Sequence, residues 1–282
     1  MRTKPERAFR AAFGCSLGVL LALCAGLALL SIAMLFTRVN VLVLGIDRVE
    51  PGTALGRSDT MILATFAPLK PYVGTLSIPR DLWVTIPGVG ENRINTAHFF
   101  AEAEKAGSGP AAALETCRQL FGVDIRYFVR FRFEGVVDIV EALGGIDLVL
   151  EKPMAGYPAG RHSLNGQQAL AFVRSRAGAD DFFRMEQGQV FLRSVLAELF
   201  DPRNLPRFPR VWVTLRQTVE SNIPPWALPA IGTALLRAGP AGIDGRTIPR
   251  QFTTPITTQG GAAVLLPNWD LILPLVEEMF GE

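Results

Sequence analysis

Hydrophobic and polar positions divide the chain near residue 37. From Ala11 to Phe36 there are 26 consecutive residues without a charge. A helix of that length rises about 39 Å, enough to cross a hydrocarbon core of about 30 Å with tilt. Arg2, Lys4, Arg7 and Arg10 precede it and Arg38 alone follows closely. The positive-inside rule then puts the N-terminus in the cytoplasm and everything after Phe36 outside. Ser31-Ile32-Ala33 is a passable cleavage site, but the apolar run far exceeds the core of a signal peptide, so a retained anchor is expected. Leu23 before Cys24 is too large for a lipoprotein signal.

Beyond the anchor, short apolar runs alternate with helical periodicities. Asn40–Ile46, Thr60–Ala67, Val73–Ile78 and Leu82–Ile86 read as strands, punctuated by Pro68, Pro71, Pro79 and Pro87. Asn95–Ala106 and Pro110–Phe121 read as helices, with Pro110 suited to a first turn. Ile125–Phe131 is a strand candidate, Phe133–Leu143 a helix stopped by Gly144-Gly145, and Ile146–Leu150 a further strand. Helical patterns return at Gln167–Phe172, Arg184–Phe200, Trp226–Leu236 and Asn268–Phe280. The expected fold is an α/β layered α-β-α sandwich around a mixed central sheet, preceded by one N-terminal transmembrane helix. Residues 1–10 would be a cytoplasmic tail, 11–36 the span, and 40–282 one extracytoplasmic domain.

Composition narrows the chemistry. With 49% hydrophobic and 19% charged residues in 282, the chain can bury a sizeable core and is not disordered. A formal charge of +2, evenly spread, does not suggest nucleic-acid binding. Cys15 and Cys24 fall in the anchor, leaving Cys117 as the one external thiol, so an intradomain disulfide is excluded. Cys117 sits in a helical pattern and reads as a buried, inert residue. His98 and His162 lie far apart, and no Cys/His cluster offers zinc. Of 28 basic residues 24 are Arg, the side chain whose planar fork matches phosphate.

The charges fall where apolar strands end. Asp47 follows the first strand, Asp59 begins the second, and Arg57 stands two residues earlier. Arg80 and Asp81 follow the third. Arg174 and Arg176 alternate, so an extended backbone would aim both at one face. Asp180, Asp181 and Arg184 come next. If the strand ends converge, carboxylates suited to a hard divalent ion such as Mg²⁺ meet guanidinium groups suited to phosphate oxygens. That combination would bind a pyrophosphate and stabilise charge on a transferring phosphoryl group.

These residues carry a resemblance. Val43-Leu44-Gly45-Ile46-Asp47, Arg57-Ser58-Asp59-Thr60, Ser77-Ile78-Pro79-Arg80-Asp81, Arg93-Ile94-Asn95-Thr96-Ala97, Val137-Asp138 with Gly144-Gly145-Ile146, Leu164–Leu170, Arg174-Ser175-Arg176 and Asp181-Phe182-Phe183-Arg184 occur in that order. The chain resembles the LytR–CpsA–Psr family over about residues 40–200. The resemblance implies a phosphotransferase anchored in a bacterial cell membrane, moving a glycopolymer from a polyprenyl pyrophosphate carrier to peptidoglycan as a phosphodiester. It implies Mg²⁺ held by Asp47 and Asp59. Arg57, Arg80, Arg174, Arg176 and Arg184, with Gln189, would face phosphate. Arg57, Asp59, Arg80 and Asp81 would form the catalytic group, with Asp59 or Asp81 as base.

Two features set this chain apart from the family: a short stretch between Arg176 and Asp181 that lacks an Asp-Pro pair, and the segment after Arg184. The family continues after Arg184 with two residues and then Arg-Gln, whereas this chain has Gln187 and Gly188, followed by Gln189. A non-catalytic carrier-binding scaffold or envelope regulator, or a lipid pyrophosphatase, is therefore weighed beside the transferase. For the polyprenyl tail, Val136, Ile139, Val140 and Leu143 with Val190, Phe191, Val195 and Leu199 could line an apolar tunnel, although such spacing also describes plain core. Trp83, Trp212, Trp226 and Trp269 are candidate sugar platforms or buried anchors.

Overall fold

Strand β1 (Val39–Ile46) is apolar on both faces, and that property sets the layers of the molecule. Leu42 and Leu44 point to one face, Val39 and Val41 to the other. Strands β2 (Ser58–Ala67) and β3 (Tyr72–Ser77) continue the alternation, with Leu63 and Leu76 on the first face and Ala64 and Val73 on the second. β2 pairs antiparallel with β1 and with β3. β6 (Tyr127–Arg132) lies parallel to β1, and β10 (Ile243–Thr247) parallel to β3. β9 (Val219–Ser221) closes the other edge antiparallel to β6. The sheet is therefore mixed and six-stranded, in the order β10-β3-β2-β1-β6-β9.

The computed structural model describes residues 21–30, 32–33, 37–46, 55–175, 180–199, 201–239 and 242–281. Residues 21–30 and 32–33 are helical (α1). Among the described residues no helix is long and apolar enough to cross a membrane. Residues 1–10 and the rest of the expected Ala11–Phe36 span lie outside them.

Helices α2 (Thr96–Glu104), α3 (Gly109–Phe121) and α9 (Trp269–Phe280) cover the Leu42 face. Helix α8 (Leu228–Ala238) covers the Val41 face through Ala230 and Ala234. This is the expected α-β-α layering. A third cluster gathers α4 (Gly135–Leu143), α5 (Gly166–Arg174), α6 (Asp181–Leu199) and α7 (Phe208–Thr218) around hairpin β7 (Ile146–Leu150) and β8 (Gly160–Leu164). Two more hairpins flank the sheet: β4 (Trp83–Ile86) with β5 (Gly90–Arg93), and β11 (Thr253–Thr257) with β12 (Ala263–Pro267).

One expected feature is corrected. Arg174 does not sit on an extended strand; it is the last residue of α5. A capping box starts that helix, with the Asn165 side chain accepting from the Gln168 amide and the Gln168 side chain accepting from the Asn165 amide. Burial of Ala169 and Phe172 carries the helix to its end, and only Ser175 turns extended.

Candidate functional site

The site forms where three chain segments leave the sheet at one end. Ile46, the last residue of β1, pairs with Ser58, so Asp59 stands one residue further along β2. β3 ends at Ser77, and Arg80 follows in a turn closed by the Leu82 amide donating to the Pro79 carbonyl. α6 begins beside them with Asp181 and Arg184 one turn apart.

Arg80 organises the cluster. One terminal nitrogen donates to Asp59 at 2.6 Å. Its Nε and other terminal nitrogen grip both Asp181 oxygens, at 3.1 and 2.9 Å, in a fork. Asp81 lies 3.7 Å from Arg80 Nε and 3.2 Å from Arg93 Nε. Arg184 reaches Asp181 at 3.2 Å. Burial works against the Arg80 charge, but Asp181 and Asp59 outweigh it and hold its pKa above the ordinary guanidinium value. Burial and a hydrogen bond with Asp181 push the Asp81 carboxyl up to about 6. Asp181 goes the other way: its burial is outweighed by the bond from Asp81 and by Arg80 and Arg184. Of the two acids, Asp81 is therefore the more readily protonated.

A cavity of about 70 Å³ adjoins this cluster. Asp59, Arg80, Asp181 and Arg184 form its charged side. Phe131, Phe133, Val136, Val173, Phe191 and Leu192 form its apolar side. Gly45 permits the aromatic wall, because a Cβ there would meet the Phe131 ring and Thr60 at 3.0 Å. The rings themselves lie 5.8 Å apart. A charged rim against an apolar slot is the form required by an amphiphile with an anionic head.

The expected residues are distributed unevenly. Asp59, Arg80, Asp81 and Arg184 meet in the cluster, whereas Arg57 is exposed and outside the cavity lining. Arg174 stands to one side, donating to Glu134 at 2.7 Å with its guanidinium 6.0 Å from the Phe133 ring centroid. Asp47 and Arg176 lie outside the described residues. Asp181 was legible only as a motif residue; its spacing of three before Arg184 on a helix was the signal for its role.

Gln189, expected to face phosphate, turns away from the cavity. Its side chain is buried against the sheet, accepting from Thr75 Oγ at 2.6 Å and donating to Ser77 Oγ at 2.8 Å and the Arg246 carbonyl at 2.9 Å. Its neighbour Gly188 is among the α6 residues that line the cavity, and Gln189 is not. Gln187 donates to the Phe172 carbonyl at 3.2 Å, and its buried Oε1 has no hydrogen-bond partner among the described residues. The proposed tunnel also contracts. Val136 lines the cavity, but Val140 and Leu143 are fully buried core, with Ile139, Val190 and Val195 packed against them.

A second buried network stands beneath the loop before β2. His98 Nδ1 is 2.9 Å from the Gly56 carbonyl, and its Nε2 is 3.1 Å from an Arg130 nitrogen. A carbonyl only accepts and a guanidinium only donates, so Nδ1 carries the proton and the ring is neutral. Burial holds its pKa below the ordinary value. Arg130 also pairs with Glu102 at 3.0 Å and with Glu220. Burial opposes the Glu102 charge, but the amides of Gly107 and Gly109, with Arg130, hold its pKa low. Cys117 is buried in the main core, and its thiol is pushed up to about 12 by burial.

Magnesium fits the donor chemistry at one point. Asp59 supplies hard carboxylate oxygen at the cavity's charged side. Among the described residues no group of three His, Cys, Asp or Glu forms a complete metal site. An ion with one or two protein carboxylates and substrate phosphate oxygens needs no such group.

Comparison with known proteins agrees with the architecture. The LytR_cpsA_psr family model matches residues 35–268. The polyisoprenyl-teichoic acid–peptidoglycan teichoic acid transferase TagU of Oceanobacillus iheyensis is 37% identical over 142 residues, covering 49% of this chain and 43% of that protein. Regulatory protein MsrR of Staphylococcus aureus is 26% identical over 227 residues, covering 78% and 65%. The chain thus spans less than two thirds of these curated relatives. Among solved structures, B. subtilis TagV superposes with a TM-score of 0.70 at 22% identity, covering 87% of this chain and 98% of that one. TagT bound to LIIa-WTA superposes at 0.68 with 21% identity, covering 88% and 93%. Both likenesses bear on the fold.

Proposed function

The chain belongs to the LytR–CpsA–Psr family, and on that footing we propose that it is a phosphotransferase moving a glycopolymer from a polyprenyl pyrophosphate carrier onto peptidoglycan. The observation that carries the proposal is the junction of the Arg80 cluster with an apolar cavity. The diphosphate would lie against Arg80 and Arg184, with Arg57, Arg174 and Arg176 supplying further donors, and the first isoprene units would enter between Phe133 and Phe191. The names of TagU and of TagT bound to LIIa-WTA support the substrate class. The segment Ala11–Phe36 would hold the domain at the outer face of a bacterial membrane.

In this reading an acceptor hydroxyl of peptidoglycan attacks the phosphorus that carries the glycan. The new P–O bond forms as the bond to polyprenyl phosphate breaks, and the hydroxyl proton passes to a carboxylate. Asp59, which lines the cavity, or Asp81 beside it would take that proton. Arg80 and Arg184 offset the charge that grows on the leaving phosphate. A magnesium ion on Asp59 and Asp47 would neutralise diphosphate charge when bound.

Incubating the full chain with a polyprenyl pyrophosphate glycan and peptidoglycan, then identifying the phosphorus products, tests the proposal. A phosphodiester on peptidoglycan is expected. Free glycan phosphate would instead identify a pyrophosphatase. Absence of turnover with retained carrier binding would favour the scaffold reading, which Gln187, Gly188 and the regulatory name of MsrR motivate.

A further inference from the structure

Residues 201–218 leave α6, form a short 3-10 turn and return as α7, exposing an amphipathic surface. Leu205 is 67% exposed, Phe208 49%, Trp212 41% and Val213 54%. Phe208 and Trp212 lie one helical turn apart with rings only 16° from parallel. These side chains are additional to the stripe that packs α7 inward, since Val211 and Leu215 already join the core beneath. Arg210 and Arg216 are exposed beside them, and Arg203 is 86% exposed. Asp201 is the one acidic residue from 201 to 217, and Arg203 pairs with it. Arg207 is directed inward, donating to the Leu143 carbonyl at 2.7 Å.

The placement of this surface adds a second argument. α6 begins in the Arg80 cluster, and farther along its Leu196 packs against the apolar cluster that contains Val39, Phe66, Val73 and Ile243. Val39 pairs with Phe66 at the start of β1. The chain after Leu199 therefore lies toward the end of the domain where residues 37–38 enter, about 28 Å along α6 from Asp181. α4 runs the same way from Gly135, and Arg207 caps its last turn.

We infer that the Leu205–Val213 surface seats in the headgroup layer of an anionic bilayer. Apolar and aromatic side chains enter the acyl boundary while the arginines meet anionic lipid, the mode of an interfacial helix. The seat holds the far ends of α4 and α6 at the membrane. The inference does not depend on the reaction proposed above, because docking is read without turnover.

The test uses the full chain reconstituted in vesicles whose lipids carry bromine on their acyl chains, with tryptophan emission as the readout. In phosphatidylglycerol vesicles the wild type is quenched more than Trp212→Phe, a variant that keeps an aromatic ring in place. Replacing Arg210 and Arg216 by alanine weakens contact about thirtyfold, and the extra quenching disappears, as it does in pure phosphatidylcholine. Equal quenching of wild type and Trp212→Phe overturns the inference. So does extra quenching that ignores lipid charge, or a Trp212 emission shift caused by peptidoglycan fragments instead of lipid, which marks a sugar platform.

Discussion

Arg80 meets Asp59 and both oxygens of Asp181 through one guanidinium, so removing it leaves those acids facing each other across the cavity mouth. Arg80→Ala should lower transfer by about a hundredfold or more, with a small drop in melting temperature, measured by product formation and calorimetry. Lysine should not rescue it, since an ammonium cannot form the fork to Asp181. Asp81 makes a pH prediction. Its folded pKa of about 6 lies above the unfolded value, so its protonated form contributes stability at low pH that is lost as pH rises through about 6. Asp81→Asn mimics the protonated acid, and its unfolding profile should lack that fall; an unchanged fall assigns it elsewhere. Arg80, Asp59 and Arg184 were legible because charges ending apolar runs have few places to converge except a sheet end. Gln189 was not, since a polar residue on a helix reads the same whether it faces a ligand or buried Thr75 and Ser77.

At the scale of elements, α6 carries two duties on different faces. Asp181 and Arg184 supply the site, and Gln189 fastens the helix to β3 and β10. Gln189→Ala leaves the Thr75 hydroxyl and the Arg246 carbonyl without their partner and should cost about 2–3 kcal/mol, read by denaturant unfolding. Diphosphate affinity of the folded variant should stay as in wild type; a large loss would return Gln189 to the ligand set. α5 depends on its capping box, so Asn165→Ala should cost about 1 kcal/mol. Helices with clear apolar stripes, such as Pro110–Phe121, matched the structure closely because one face is buried. α7 was missed: Pro206 in the turn before it and Pro209 in its first turn look like loop chemistry, and its exposed Phe208, Trp212 and Val213 blur the stripe. The end of α5 was misread because alternating arginines suggest a strand wherever helix packing is unseen.

Across the whole molecule, the sheet's two apolar faces dictate the layers, and the buried Arg130 network ties parts of them together. Arg130 on β6 joins Glu102 of α2 and Glu220 of β9, while His98 passes the contact to Gly56, just before Arg57. Removing one partner of a buried ion pair strands the other, so Arg130→Ala should destabilise the domain by about 3–5 kcal/mol, seen as a lowered unfolding midpoint. That network was invisible from sequence, because its members are spread from His98 to Glu220; the antiparallel β6–β9 pairing sets Arg130 opposite Glu220, and α2 brings His98 and Glu102 to them. The layered architecture itself was readable from near-continuous apolar strands alternating with striped helices.

The most direct measurement is calorimetric titration of geranyl diphosphate into the full chain and into Arg80→Ala with Arg184→Ala. The account predicts saturable binding by the wild type and at least about a hundredfold loss in the variant, with folding retained. Equal affinity for both proteins would contradict a diphosphate site at the Arg80 cluster.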